Sequence, residues 1–169
     1  NFTSIGGKKN KFSFYAFYNH KRGDGFRNNS NYKSNNVYVH LKKNLSNKSE
    51  LSGEVTYMNY LAKQAGGLSD RMFINNPMQS NRSRNWFELD WLLYNFKFKH
   101  RFNEKTNLSF SLFGLDAERN TVGFRTNRVD QVDPLTERDL IRGNFNNHGI
   151  ELKIFCLLYT SDAADDHHR

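Results

Sequence analysis

Eight arginines carry the chemistry this sequence offers. Arg22, Arg27, Arg71, Arg82, Arg84, Arg119, Arg125 and Arg128 fall in three long segments, 20–31, 63–85 and 119–144, that show no strand period. A guanidinium is planar, always charged, and grips carboxylate or phosphate oxygens through two parallel hydrogen bonds, so such a set suits an anionic ligand. The stretch "QAGGLSDRMFINNPMQSNRSRNWF", residues 64–87, concentrates three of them. A loop longer than ~12–15 residues without structure of its own needs a task. Binding is the task expected here.

Other chemistries find less support. His20, His40, His100 and His148 are scattered without metal-ligand spacing, so no metal site is expected. A Ser/His nucleophile pair is not expected either, because His40 has no serine on its own strand parity within reach. "RNTVGFRTNR" is basic with an interleaved aromatic, yet lacks the second stacking platform that single-stranded nucleic acid uses. "RGDG", residues 22–25, reads as a turn led by Asp24-Gly25. Gly-rich phosphate-loop patterns are missing. The expectation is a binding protein with no enzymatic activity, no cofactor and no nucleic-acid partner.

The last fourteen residues stand apart. "CLLYTSDAADD" from Cys156 onward looks like a translated sequencing-library adapter, so residues 156–169 are expected to be non-native and 1–155 to be the native unit. Setting them aside removes the only cysteine. A disulfide framework is then ruled out. The formal charge rises from +8 to +10, with 24 basic against 14 acidic residues. A surplus of that size attracts anions, whether ligands or lipid headgroups.

The elements that must hold the arginines read with period two. "KFSFYAFYN" (11–19), "VYVHLKK" (37–43), "LSGEVTYMNYL" (51–61), "WFELDWLLYNFKFKHRF" (86–102), "LSFSLF" (108–113) and "IELKI" (150–154) alternate between two faces. Within 86–102 the apolar parity changes, from Phe87, Leu89, Trp91 and Leu93 to Phe96, Phe98 and Phe102, which predicts a β-bulge near Tyr94-Asn95. Between the strands, short polar turns (6–10, 46–50, 103–106) alternate with the three long segments. Outer-membrane β-barrels have this asymmetry: short periplasmic turns, long extracellular loops, and strands of ~10 residues with apolar-out, polar-in alternation. No run approaches ~18 apolar residues, so no membrane-spanning helix is predicted. Tyr18, Tyr57, Tyr60, Trp86, Phe87 and Trp91 lie toward the long-loop ends, where an interfacial girdle belongs. The predicted fold is all-β: a partial, antiparallel, up-and-down transmembrane β-barrel of about seven strands.

With the pattern in place, "RGDGFRNNS" (22–30), "EVTYMNYLAKQAGGLSDRMFINNPMQSNRSRNWF" (54–87) and "LFGLDAERNTVGF" (112–124) resemble the early barrel region of TonB-dependent outer-membrane receptors of the ferric-dicitrate type. The resemblance spans nearly all of residues 6–155. It implies a barrel of ~22 strands with a plugged lumen, in the outer membrane, transporting a ferric chelate such as ferric citrate or another ferric siderophore. It also implies TonB as the energy-coupling partner, acting through a plug domain, with bilayer lipid and lipopolysaccharide around the barrel. Two other readings are a porin-type channel and a soluble antiparallel β protein binding an anionic polymer.

The barrel reading assigns faces. Val37, Val39, Leu41, Leu108, Phe110, Leu112, Ile150, Leu152 and Ile154 are expected toward lipid. Tyr38, His40, Lys42, Ser109, Ser111, Glu151 and Lys153 are expected toward the lumen.

Overall fold

The computed structural model describes residues 1–124 and 128–157. Seven strands form a single sheet in chain order, each antiparallel to the next: β1 (Phe2–Lys9), β2 (Phe12–Gly23), β3 (Tyr32–Asn44), β4 (Ser49–Lys63), β5 (Trp86–Arg101), β6 (Thr106–Val122) and β7 (Leu140–Cys156). β1 and β7 are unpaired edges, so the sheet is an open section of up-and-down barrel wall. β1 lies where a turn was expected: the strand runs through Gly6 and Gly7, and the chain reverses at Asn10-Lys11. Asn10 sits there at φ 53°, a left-handed conformation that asparagine tolerates better than most residues. At the other edge Cys156 pairs with Thr106 as the last residue of β7; residues 158–169 lie outside the described part.

Residues paired across an antiparallel ladder share a face, so the register settles the face assignment. Val37, Val39 and Leu41 stand level with Tyr57, Val55 and Gly53, and Leu108, Phe110 and Leu112 with Ile154, Leu152 and Ile150. All the residues expected toward lipid fall on one face, joined by Phe12, Phe14, Leu51, Phe96 and Phe98. Nothing covers this band. Leu41 is 46% exposed and Leu152 62%, and the only buried apolar residue among those described is Ala65. A chain of this length in water buries large side chains together. This one presents them outward, as a barrel wall does toward lipid.

The predicted bulge is not there. β5 pairs with β4 and with β6 in continuous register from end to end. The parity change has another cause. β4 to β7 are 15 to 17 residues long, whereas a spanning strand needs ~9–11. Past the band the strands continue toward the long loops, and there the outward face turns polar: His20, Asn35, Asn59, Asp90 and Glu118 form one register row. On β4, β5 and β6 the inward face turns apolar at that height, with Met58, Leu89, Trp91, Leu93 and Leu115, while β2 and β3 carry Asn19, Lys21, Ser34 and Asn36 there. A regular strand that leaves one environment for another gives the same sequence signature as a bulge.

The band is also oblique to the register. Its upper limit is Tyr18 on β2 but Ile150 on β7, which shares a row with Phe14, two outward positions lower. Strands tilted ~35–45° to a barrel axis cross a level apolar slab at a register that shifts along the sheet.

The girdle is narrower than expected, because Tyr60, Phe87 and Trp91 face inward and Trp86 stands outward above the band. Tyr18 and Tyr57 mark the upper edge, joined by Tyr94. Their hydroxyls donate to Asn35 Oδ1 (2.9 Å) and Asp90 Oδ1 (3.3 Å), and that of Tyr94 meets His148 Nδ1 (2.7 Å). An amphipathic ring at an apolar–polar boundary behaves this way.

Candidate ligand-binding site at the loop end

The three long connections, 24–31, 64–85 and 123–139, leave the same end of the sheet and are tied to one another. The second contains a short helix, α1 (Asp70–Asn75), whose N-cap Ser69 accepts from the Met72 amide. No helix was expected in that stretch.

Arg27 joins the first connection to the second. Its Nε donates to the Gln79 carbonyl (2.9 Å), and its terminal nitrogens to Gly66 (2.7 Å) and Ala65 (3.4 Å). Asn29, at φ 56°, gathers the carbonyls of Gln64, Arg82 and Asn85 with one amide nitrogen. The second connection is bound to the third by Arg82, which is 5% exposed, donates to the Asn81 (2.6 Å) and Gln131 (3.0 Å) carbonyls, and lies 5.1 Å from the Phe124 ring centroid. Arg84 reaches Asp133 (3.4 Å) and the Thr136 carbonyl (2.9 Å). Arg138 also binds Asp133 and sits 4.6 Å over the same Phe124 ring. Asn85 accepts from the Phe124 amide (2.9 Å).

Asp133 is the centre of this knot, with a side chain only 6% exposed. Desolvation pushes its carboxyl pKa up, but the Leu135 amide, Arg138 and Arg84 outweigh that and hold it below the ordinary carboxylate value. Gly66 is equally constrained. It adopts φ 77°, and a Cβ there would run into the side chains of Asn81 and Arg82. Gly66→Ala is therefore expected to cost about 1–3 kcal/mol locally. Limited proteolysis should show 64–85 cut faster than in the parent.

The eight arginines thus divide. Arg27, Arg82 and Arg84 shape the loops. Arg71, on α1, is exposed, and Arg128 is exposed and ion-paired with Asp130 (3.0 Å). Arg119 faces inward from β6 beneath the loops, exposed, with its guanidinium 6.0 Å from the Phe145 ring. Arg22 points outward from β2, away from the others. Arg125 lies outside the described residues. Arg138, Asp133, Asn29 and Phe124 were not picked out from sequence. Their one trace is a high density of asparagine and arginine, residues that satisfy loop carbonyls and amides.

Below the knot, the inward wall is apolar and aromatic through Met58, Tyr60, Phe87, Leu89, Trp91 and Phe145. The Trp91 indole N–H is buried there with no acceptor. Lower still the wall is polar. Glu54 accepts from Tyr38 (2.9 Å) and Asn95 (3.1 Å), Lys42 pairs with Glu50 (2.5 Å), and a groove of about 510 Å³ runs past Tyr38, Glu54 and Leu93. All the residues expected toward the lumen are on this face. Among the described residues no three His, Cys, Asp or Glu side chains converge on a metal position. Ser49 and His100 meet at 2.8 Å near the short-turn end, and the imidazole packs against Phe98 and Phe102. The pair is a cross-strand tie.

The chain matches no protein-family model and no characterised protein sequence. Among solved structures it superposes on the ferric citrate transporter FecA, in its unliganded form, with a TM-score of 0.81 at 18% identity. The match covers 94% of this chain and 23% of that one, so the chain spans under a quarter of the transporter's length. At this identity the likeness concerns the fold. The seven-stranded sheet, with its outward apolar band and its loops knotted at one end, is a section of a β-barrel wall.

Proposed function

We propose that this chain forms part of a TonB-dependent outer-membrane receptor that takes up a ferric chelate, ferric citrate or another ferric siderophore, captured at the loop end. The observation that carries the reading is the double change of polarity along one set of regular strands. Along β4, β5 and β6 a band that is apolar outward and polar inward gives way to a height that is polar outward and apolar inward. That arrangement fits a barrel standing proud of a bilayer, with a walled vestibule above it. The likeness in fold to a ferric citrate transporter supports the same reading. The uncovered band disfavours a soluble protein. No covalent chemistry is involved. The chelate binds at the mouth, and TonB drives release inward through the plug of the whole receptor.

Within this reading the arginines have two roles. Arg71 and Arg119 present accessible charge to an anionic chelate, and Arg128 adds to the field. Arg27, Arg82 and Arg84 hold the loops in shape. Replacing Arg71 and Arg119 together by glutamine in the whole receptor should weaken ferric chelate binding by about tenfold or more and reduce its salt dependence, at normal abundance. Arg82→Gln should instead expose 64–85 to protease. Unchanged affinity in the double variant would remove these two residues from the site.

A further inference from the structure

We infer that the inward wall near the short turns holds a second anion site, a row of lysines and serines that receives a polycarboxylate chelate on its way out of the lumen. The inference rests on the receptor reading and names its substrate class. Most of the charge surplus lies away from the capturing loops. Segments 8–13, 42–52, 97–111 and 151–155 carry eleven Lys or Arg against three Asp or Glu, which places eight of the ten surplus charges at the short-turn end. The cations also differ in kind. Among the described residues of 1–155, nine of ten arginines lie toward the loop end and ten of thirteen lysines toward the short turns.

The register turns the inward lysines into a repeating pattern. Lys8, Ser13, Lys42, Ser52, Lys97 and Ser111 stand level on β1 to β6, with Glu151 ending the row on β7. Neighbouring strands lie ~4.8 Å apart, so successive lysines stand about 10 Å apart with a hydroxyl in each gap. One row lower Lys99, Ser109 and Lys153 repeat the alternation. A carboxylate in a gap meets two ammonium groups and a hydroxyl, and an anion with several carboxylates spans more than one gap. Lys42 is paired with Glu50 (2.5 Å) and Lys153 with Glu151 (2.8 Å), but among the described residues Lys8, Lys97 and Lys99 make no ion pair. Glu54, the next inward acid above Lys97, already accepts from Tyr38 and Asn95. A groove of about 290 Å³ along His40, Lys42, Lys97 and Lys99 gives the anion room. Lipid has no access to it, because the row faces the lumen behind Phe96 and Phe98 of the apolar band. Lysine also suits release. An arginine fork clamps a carboxylate, whereas an ammonium is a point charge on a flexible stem. A path must attract its ion and then let it go. Arginine at the mouth and lysine below meet the two needs.

The test footprints the lysines of the whole receptor with an amine-acetylating reagent, using citrate as the probe and mass spectrometry as the readout. Citrate at about ten times a millimolar dissociation constant should slow acetylation of Lys42, Lys97 and Lys99 about tenfold. Lys9 and Lys43, outward at the same height, should react as before. A neutral sugar at matched ionic strength should protect none of them. In cells, the variant Lys42→Arg, Lys97→Arg, Lys99→Arg should take up ferric citrate about tenfold more slowly at saturation, with capture at the mouth unchanged. A merely structural role for these lysines, such as contact with acids of the plug, would be rescued by arginine. Lysines indifferent to citrate, lysines closed to the reagent by the plug, or parental uptake by the arginine variant would each overturn the inner site. Uptake of a ferric hydroxamate but not of ferric citrate would overturn this inference alone. Uptake of neither would overturn the receptor reading and this inference with it.

Discussion

Phe110→Arg is expected to destabilise the whole receptor in its bilayer by about 2–4 kcal/mol, the cost of a charge near the midplane of a lipid-facing strand. Phe110 lies mid-band on β6, between Phe98 and Leu152 on the flanking strands. The fitting control is Asn147→Arg, inward and exposed on β7, which should cost little. Ser111 also faces inward as expected, but it is 4% exposed and wedged between Lys97 and Glu151, so an arginine there would test packing instead. Urea unfolding in lipid vesicles, followed by tryptophan fluorescence, measures the difference. Equal costs at Phe110 and Asn147 would mean that neither face is in lipid.

The second large effect is expected at Asp133. Asp133→Asn removes the carboxylate that Arg84 and Arg138 share, leaving two guanidinium groups facing a neutral amide. Hydrogen bonds to a charged group contribute about 1.5–3 kcal/mol, reduced at Arg84, whose side chain is 38% exposed. Hydrogen exchange in 64–85 and in the described part of 123–139 should speed up together, because the two connections share the knot. The pH dependence has a definite sign. The folded carboxyl pKa is depressed, so the stabilisation is complete above the ordinary carboxylate value near 4 and is lost as pH falls through the lower folded one. Protection should therefore survive mild acid in the parent and fail below that range. The Asp133→Asn protein should lack this step. A parent whose loops exchange at the same rate on both sides of the transition would contradict the role given to Asp133.

Much of the fold was legible because a half-buried strand writes its faces into every second residue. Val37-Val39-Leu41 and Ile150-Leu152-Ile154 needed no partner to be placed. β1 was harder to read, since Gly6 and Gly7 imitate a turn while lying flat in the ladder. The change of parity in β5 was visible, but a sequence does not say whether the chain bends or its surroundings change. Only the unbroken register decided for the surroundings. The site was less legible. Arginine has the same composition signal whether its charge stays exposed, like Arg119, or closes a loop, like Arg27 on three carbonyls. That distinction depends on backbone groups brought together across 38 to 52 residues of chain, and no local pattern encodes it.

Uptake of radiolabelled ferric citrate by cells expressing the whole receptor, with and without the TonB coupling protein and beside a ferric hydroxamate and a neutral sugar, tests the central claim most directly. Saturable uptake of a ferric chelate is expected, stopping when the coupling protein is removed and with no entry of the sugar. Uptake that continues without coupling and admits sugar and chelate alike would contradict it.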